Sequence, residues 1–550
     1  MGQSLIVGLD GATFDLIDPL VAAGRLPTFA RLLASGVRGR LMSTIPPATV
    51  PAWPTFMTGK RPGGHGVFDF YKREPGRERR LVSSRDIEGP TLWRYLSDHD
   101  RPCIVLNVPC TYPPEAIRGV LASGMLTPSN GPYVHPPEMA ARLDAWTGGY
   151  RVNPRAEYVR SPFDRAKLIQ ELREISDIQK RAFLALLDSE PWDLAMLMFR
   201  ATDIIQHKLW HRPEDVAAMY EFIDGALDEI MAAAGHAPVW LISDHGFGPL
   251  EKSFHINQWL RDQGWLAYRR KEESPASRPQ PDAPARQNRP ARARSLRGWL
   301  GRAGISSDRA RAVLPGPVQS LLKRAIPRHV RGWMPRSSYE VDFARTQVFS
   351  DSSFTHETQA LRINLRTREP GGIVPPDEYE ALRDQVIQSL KALRDPETGQ
   401  TVVLDAYKGD ELFAGPYVDG APDLILRLRD GYKMIGDFAS AAAITRLAQV
   451  GGCHRRDGIF VAAGPGIAAG PDLGALSIAD VMPTLLHAMR LAVPKTCDGQ
   501  VRLDVFAPGS DPARRPVAYL DVSPGRRSEG QEMAEDEEVL SRLRALGYID

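Results

Sequence analysis

Short apolar runs at residues 5–9, 103–108, 194–199, 239–242 and 459–463 end in polar or glycine turns and are separated by helical stretches. A strand that is apolar throughout is buried on both faces, and in a soluble chain that cover comes from helices. The helices show in the same pattern. Residues 163–188 place Leu168, Leu172, Ile175, Phe183 and Leu187 at helical spacing, and residues 213–234 form a second helix with Pro213 in its first turn. Strands alternating with helices predict a mainly parallel α/β sheet with helices on both sides.

At 550 residues the chain exceeds one simple core, so a large catalytic domain carrying insertions is the expectation. No run of about 18 apolar residues occurs. The first strand starts almost at once, with no basic segment or cleavage site ahead of it, so a cytoplasmic address is expected. Four cysteines, Cys103, Cys110, Cys453 and Cys497, lack metal-type pair spacing and suit a reducing compartment.

The net charge of +2 hides an asymmetry. Between Lys271 and Arg336 stand 15 Lys or Arg against 4 Asp or Glu, a local +11, which leaves about −9 for the remainder. This divides the chain. Residues 1–270 read as the first part of the catalytic core, and 271–297, rich in Pro and Arg, as a disordered basic linker. Residues 298–340 read as a basic amphipathic helical insertion. It packs on its own domain or, over 298–336, meets an anionic membrane surface. Residues 341–440 read as a substrate-facing cap, with strands within 349–364, a helix at 376–394 and a strand at 423–428. The core closes over 441–510. A C-terminal tail, 511–550, carries an acidic helix at 535–548 that Gly547 would cap. Neither an internal repeat nor a nucleic-acid-binding motif is present.

Polar residues at the strand ends carry the chemistry. Asp10 follows the first run and precedes Gly11, a place that suits a functional carboxylate and equally a turn former. Asp203 and His207, four apart after the 194–199 run, share one helix face and would grip one cation or form a surface pair. In Ser243-Asp244-His245-Gly246, a sharp turn at Gly246 would aim both side chains at one ion; an idle turn has the same residues. His454 sits in a glycine-preceded loop before the last strand. Thr49, between Pro47 and Pro51, falls where a helix begins, so its hydroxyl either caps the helix or meets an anion there. A threonine hydroxyl is a poor nucleophile unless a metal or base activates it. His211, His255 and His487 lack such settings and are read as structural. Together the strand-end residues supply mixed N and O donors in the number that two cations need.

In combination these motifs resemble the type I phosphodiesterase/nucleotide pyrophosphatase branch of the alkaline phosphatase superfamily. The resemblance runs from Leu5 to about Gly499 and rests on Asp10-Gly11, Thr49-Val50-Pro51 with Thr58-Gly59, Thr202-Asp203 with His207, Ser243-Asp244-His245-Gly246, and Gly452-Cys453-His454. Asp480-Val481-Met482-Pro483-Thr484 and Asp498-Gly499 resemble the closing segment. It implies an alkaline phosphatase-like three-layer α/β/α fold with an inserted cap. It implies two divalent cations, zinc or else manganese, about 4 Å apart. Asp203, His207 and His454 would hold one, and Asp10, Asp244, His245 and the Thr49 oxygen the other. The implied reaction is hydrolysis of a phosphate ester, a phosphodiester above all, in two displacements through a phosphothreonine at Thr49.

One departure stands out. Nucleotide pyrophosphatases of the family carry an Asn three residues after the nucleophile, and here that position is Ala52. The departure bears on nucleotide substrates and leaves the metal chemistry intact. His65, in Gly63-Gly64-His65-Gly66, either supports the site or holds its loop. A sulfatase is excluded, since Thr49-Val50-Pro51-Ala52-Trp53 offers neither a formylglycine precursor nor the following Arg. A phosphomonoesterase, phosphotransferase or phosphomutase would use the same metal core, and a non-catalytic metal-stabilised binding module is the alternative of another class.

Overall fold

The structure is a computed structural model that describes residues 2–72, 80–155, 165–270, 339–350, 359–438, 440–470, 472–522 and 537–546. The elements around its centre are, in chain order, β1 (Ser4–Leu9), β2 (Gly36–Met42), α1 (Thr49–Thr58), β3 (Cys103–Leu106), β4 (Gly119–Ala122), α2 (Arg165–Ser189), β5 (Leu194–Phe199), α3 (Ala201–Leu209), α4 (Pro213–Ala234), β6 (Val239–Ile242), β7 (Gly246–His255), β8 (Ile444–Arg455) and β9 (Asp457–Ala463).

Nine strands form the main sheet, in the order Asp472–Ser477, β2, β9, β6, β1, β5, β3, β4 and Val134–His135. β6, β1, β5, β3 and β4 run parallel. β9 runs antiparallel between β6 and β2, and Val134–His135 is antiparallel at the far edge. All five expected apolar runs are strands of this sheet. Side chains alternate along β1. Leu5, Val7 and Leu9 join one buried cluster with α2 and α4, while Ile6 faces the other, which holds Trp53, Phe56 and Met57 of α1. Helices therefore cover both faces, which is why these strands read as continuous apolar runs.

This topology gathers the site. The carboxyl ends of β1, β2, β5 and β6 lie along one edge, and β9, running the other way, begins there. Residues after four strands and just before a fifth thus meet at that edge.

Two local expectations change. His454 lies within β8 and not in a loop, paired opposite Phe247 of β7. The chain bends at Asp244 and His245, and Gly246 already opens β7. β7 and β8 form an antiparallel ribbon, completed by Tyr432–Ile435, that leaves the main sheet. Beyond it lies a four-stranded antiparallel sheet of Val348–Ser350, Ala360–Ile363, Leu424–Leu428 and Val403–Lys408. The helix Tyr379–Ala392 shares a buried cluster with this sheet.

The basic linker at 271–297 and the helical insertion from 298 to 338 lie outside the described residues. Residues 339 and 340 belong to a strand, Tyr339–Val341, paired with Tyr268–Arg270, and not to a helix. The C-terminal helix is present as Glu537–Leu546, with Val539, Leu540 and Leu543 buried in the main core; Gly547 is outside the described residues. Among the described residues no helix is long and apolar enough to cross a membrane.

Gly8 sets how closely α1 approaches β1. A Cβ there would lie 2.8 Å from Trp53 Cη2 and 3.1 Å from Met198 Cγ. Gly8→Val is expected to destabilise the fold by about 1–3 kcal/mol, as overpacked cores do. It should also lower turnover by shifting α1. Urea unfolding followed by Trp fluorescence, with kinetics below the transition, checks both.

Candidate active site

Thr49 is the first residue of α1, and Ala48 is the cap residue, with no side-chain capping bond. The Thr49 hydroxyl is therefore not spent on capping. It lies 3.2 Å from His245 Nε2. The same Nε2 is 3.3 Å from Asp244 Oδ2 and 3.6 Å from Asp10 Oδ1. On the other side, Asp203 Oδ1 is 3.2 Å from His207 Nε2 and 3.3 Å from His454 Nε2, and those two ring nitrogens are 2.8 Å apart. The rings of His245 and His454 stack with centroids 3.6 Å apart. All seven residues singled out in the sequence converge.

Two groups of donor atoms each fit within 4.8 Å: Asp203, His245 and His454, and Asp10, Asp244 and His245. His245 stands within reach of both. His207 joins the first group through its contacts with Asp203 and His454.

The backbone orients the rings. His245 Nδ1 bonds Gly246 O at 3.0 Å, and His454 Nδ1 bonds Pro47 O at 3.1 Å. A carbonyl accepts, so each Nδ1 carries the proton and each Nε2 turns a lone pair inward.

The carboxylates Asp10, Asp203 and Asp244 are all fully buried. Burial, then repulsion from Asp244 and Asp203, raises the Asp10 carboxyl well above its usual range, with Arg200 opposing. Burial also works to raise Asp203, yet the imidazoles of His207 and His454 hold it well below that range. Burial lowers His245 against the pull of Asp244, and His454 lowers it further. Among the described residues, neither oxygen of Asp10 has a hydrogen-bond partner. A buried carboxylate left so is costly unless a cation faces it.

Residues 4–307 match the type I phosphodiesterase / nucleotide pyrophosphatase family. The chain belongs to that family. It is accordingly a hydrolase acting on phosphate esters. Phosphonoacetate hydrolase from Sinorhizobium meliloti 1021, in complex with phosphonoformate, aligns over 87% of this chain and 94% of its own, at 16% identity and a TM-score of 0.52. An inactive form of murine ectonucleotide pyrophosphatase / phosphodiesterase 5, in complex with AMP, aligns over 92% and 100%, at 11% identity and a TM-score of 0.50. At these identities the likeness shows the fold: an alkaline phosphatase-like α/β/α core with additional sheets. No curated protein sequence matches the chain.

Within this phosphodiesterase-family site several supporting residues were not foreseen. Thr202 Oγ1 donates to Asp10 O at 2.6 Å, Gln206 Nε2 donates to Gly11 O at 2.9 Å, and Gly11 N donates to Asp244 Oδ1 at 3.2 Å. These bonds tie α3 and the bend after β6 to the end of β1. Thr202 and Gly11 belong to the motifs quoted above without a role of their own; Gln206, four residues after Thr202, is signalled only by helical spacing.

His65 supports the helix and not the donor cluster. Its Nδ1 accepts from Val67 N at 3.2 Å, so Nε2 carries the proton and bonds Thr55 Oγ1 at 3.0 Å. Burial and then the nearby Lys60 push it down to about 3, so it is neutral. Ala52 packs with Trp53 and Phe56 in the apolar cluster, so an Asn at that position would face the core and not the site. His255 bridges Asp437 and Thr445, and His487 bonds Pro512 O, both structural as read.

The raised Asp10 carboxyl makes a prediction for metal-free protein. The folded chain holds the Asp10 proton more tightly than the unfolded chain, so stability falls as pH climbs above the ordinary value of 3.8. Asp10→Asn removes that penalty. Chelator-treated Asp10→Asn is expected to melt above the parent at pH 7, with the gap closing toward pH 4. Thermal melts at the two pH values decide it.

Proposed function

We propose that the chain hydrolyses phosphodiesters in two successive in-line displacements, with Thr49 as the nucleophile. The observation that carries this reading is the Thr49 hydroxyl, unused as a cap, 3.2 Å from an imidazole that also faces two buried carboxylates. The donor set fits two divalent cations, zinc first and manganese second. The Asp10 oxygens have no hydrogen-bond partner within 3.5 Å among the described residues, His245 Nε2 standing 3.6 Å away, and the His207 and His454 Nε2 atoms lie 2.8 Å apart. Asp203, His207 and His454 would hold one cation, and Asp10, Asp244, His245 and Thr49 Oγ1 the other. Bound there, the pair supplies Lewis-acid stabilisation of the phosphoryl oxygens and lowers the pKa of the threonine hydroxyl.

The chain's own residues do the rest. The first turn of α1 presents N–H groups without intrahelical partners, which favour the anionic phosphoryl group beside Thr49. Thr49 Oγ1 bonds phosphorus as the bond to the departing alcohol breaks. Water then displaces Thr49, which leaves free phosphate monoester and restores the hydroxyl.

The domain reading belongs to the same proposal: residues 1–270 and 441–510 as the catalytic core, 341–440 as the substrate-facing cap, and 511–550 as a tail, whose helix Glu537–Leu546 buries Val539, Leu540 and Leu543 in the core cluster. The cap touches the core beside the nucleophile helix. Tyr417 N donates to Gly63 O at 3.1 Å, and the Phe68 and Phe413 rings lie 5.1 Å apart. No disulfide joins the four cysteines, which suits the reducing cytoplasm where we place the enzyme.

With zinc-reconstituted protein, bis(p-nitrophenyl) phosphate should turn over faster than p-nitrophenyl phosphate. Thr49→Ala should lose on the order of 10³-fold in kcat or more, and Thr49→Ser should keep part of it. Acid quenching of the parent turning over the diester should trap Thr49 esterified to a p-nitrophenyl phosphate group, since the second arm stays on phosphorus. Full turnover by Thr49→Ala removes the nucleophile assignment. A monoester preference makes the enzyme a phosphatase on the same core.

A second test concerns the cations. Exhaustive chelation should abolish activity, and elemental analysis of the restored enzyme should return about two equivalents of metal per chain. Full activity in metal-free protein would remove the two-cation site.

A further inference from the structure

The carboxyl edge of the main sheet continues past the site. β1, β5, β3 and β4 are successive neighbours. Asp10, Arg200, Asn107 and Ser123 follow them directly. All four are buried. Leu9 pairs with Phe199, which sets Arg200 beside Asp10. Arg200 Nη1 donates to Asn153 Oδ1 at 3.1 Å. The Tyr150 hydroxyl donates to Asn107 Oδ1 at 2.5 Å, and its ring stacks on Tyr133 with centroids 5.5 Å apart. The loop after β3 also reaches the nucleophile helix, for Cys110 Sγ lies 3.8 Å from Val50 O, one residue past Thr49.

Two donors of this cluster are unused. Among the described residues, neither Asn107 Nδ2 nor the Tyr133 hydroxyl has a hydrogen-bond partner, although both atoms are buried. Asn107 itself is only 2% exposed. Buried donors normally find acceptors, so each such exception calls for a cause. The backbone adds a second sign. Asn107, Cys110 and Leu126 adopt φ of 65°, 63° and 79°, a region that costs a non-glycine residue free energy and that recurs at ligand sites. The loops are also pressed together, since a Cβ at Gly124 would lie 2.2 Å from Asn107 O. Both open groups can donate, and Arg200 stands at the end of the neighbouring strand on the same sheet edge; such a set takes an acceptor that carries negative charge.

We propose that Asn107, Tyr133 and Arg200 form a subsite for an anionic group, carboxylate or phosphate, on the ester arm of the substrate that Thr49 attacks. The proposal rests on the phosphodiesterase reading above. It narrows the substrate class to phosphodiesters with a second negative charge beyond the scissile phosphorus.

The test uses zinc-loaded enzyme and three p-nitrophenyl diesters that differ only in the second arm: ethyl, carboxymethyl or 2-phosphoethyl. The parent should favour an anionic arm over ethyl by about 10-fold or more in kcat/KM, mainly through KM. The larger of the two anionic ratios identifies carboxylate or phosphate. Asn107→Asp keeps the acceptor for Tyr150 while replacing the amide donor with a negative charge, so the ratio should fall to about one or invert. Tyr133→Phe keeps the stacked ring and should reduce the ratio about threefold. Equal use of all three arms by the parent overturns the subsite while the phosphodiesterase reading stands. So does an unchanged ratio in both variants, as it would if ordered water alone filled the cluster. Absence of hydrolysis of every diester by the parent would instead refute the phosphodiesterase reading itself.

Discussion

Three carboxylates and three imidazoles brought together at one edge of the main sheet are the constraint on which this fold turns. Asp10, Asp203 and Asp244 are buried side by side; burial and then mutual repulsion raise Asp10, while neighbouring rings hold Asp203 down. A hydrophobic core does not pay for such a cluster by itself. What the core does is hold the elements that carry these side chains so firmly that the charges cannot relax apart. Leu5, Val7 and Leu9 lock β1 to α2 and α4 on one face, and Trp53, pressed on Gly8, locks α1 on the other. Electrostatic strain at the edge is thus borne by packing in the middle.

The same arrangement explains the choice of threonine. An alcohol at the first position of a helix, with the cap taken by Ala48, is held in place without losing its hydroxyl to the backbone. Ring orientation depends likewise on the main chain, through Pro47 O and Gly246 O. Gly246 cannot be exchanged freely for all that, since a Cβ there would lie 2.2 Å from Asp457 O.

Much of the centre was legible in the sequence because several of the candidate donors stand at or just beyond the end of an apolar strand. Asp10 after β1 and Asp244-His245 after β6 needed only strand recognition and the rule that sites gather at carboxyl ends. Asp203 and His207 needed helical spacing. His454 was found through its motif but misplaced, since Ile444–Arg455 is half exposed, holds two adjacent glycines and lacks alternation. Its partner strand opens Gly-Phe-Gly-Pro, which reads as a turn. Spacing along a sequence does not say which side of a helix faces the site, and Ala52 belongs to the apolar cluster with Trp53 and Phe56. Asn107, Tyr133 and Arg200 had no spacing to betray them. They meet only because β5, β3 and β4 happen to be neighbours in the sheet.

The ribbon of β7 and β8 has a mechanical consequence. Phe247 pairs with His454 at one end of the ladder and Phe254 with Ile444 at the other, but the pairing jumps from Leu250 with Gly451 to Lys252 with Arg446. Residues 447–450 therefore stand unpaired between the two halves, a break at which a tilt of the outer four-stranded sheet can be taken up. The half of the ribbon that seats His454 is thereby partly uncoupled from the half beside the outer sheet.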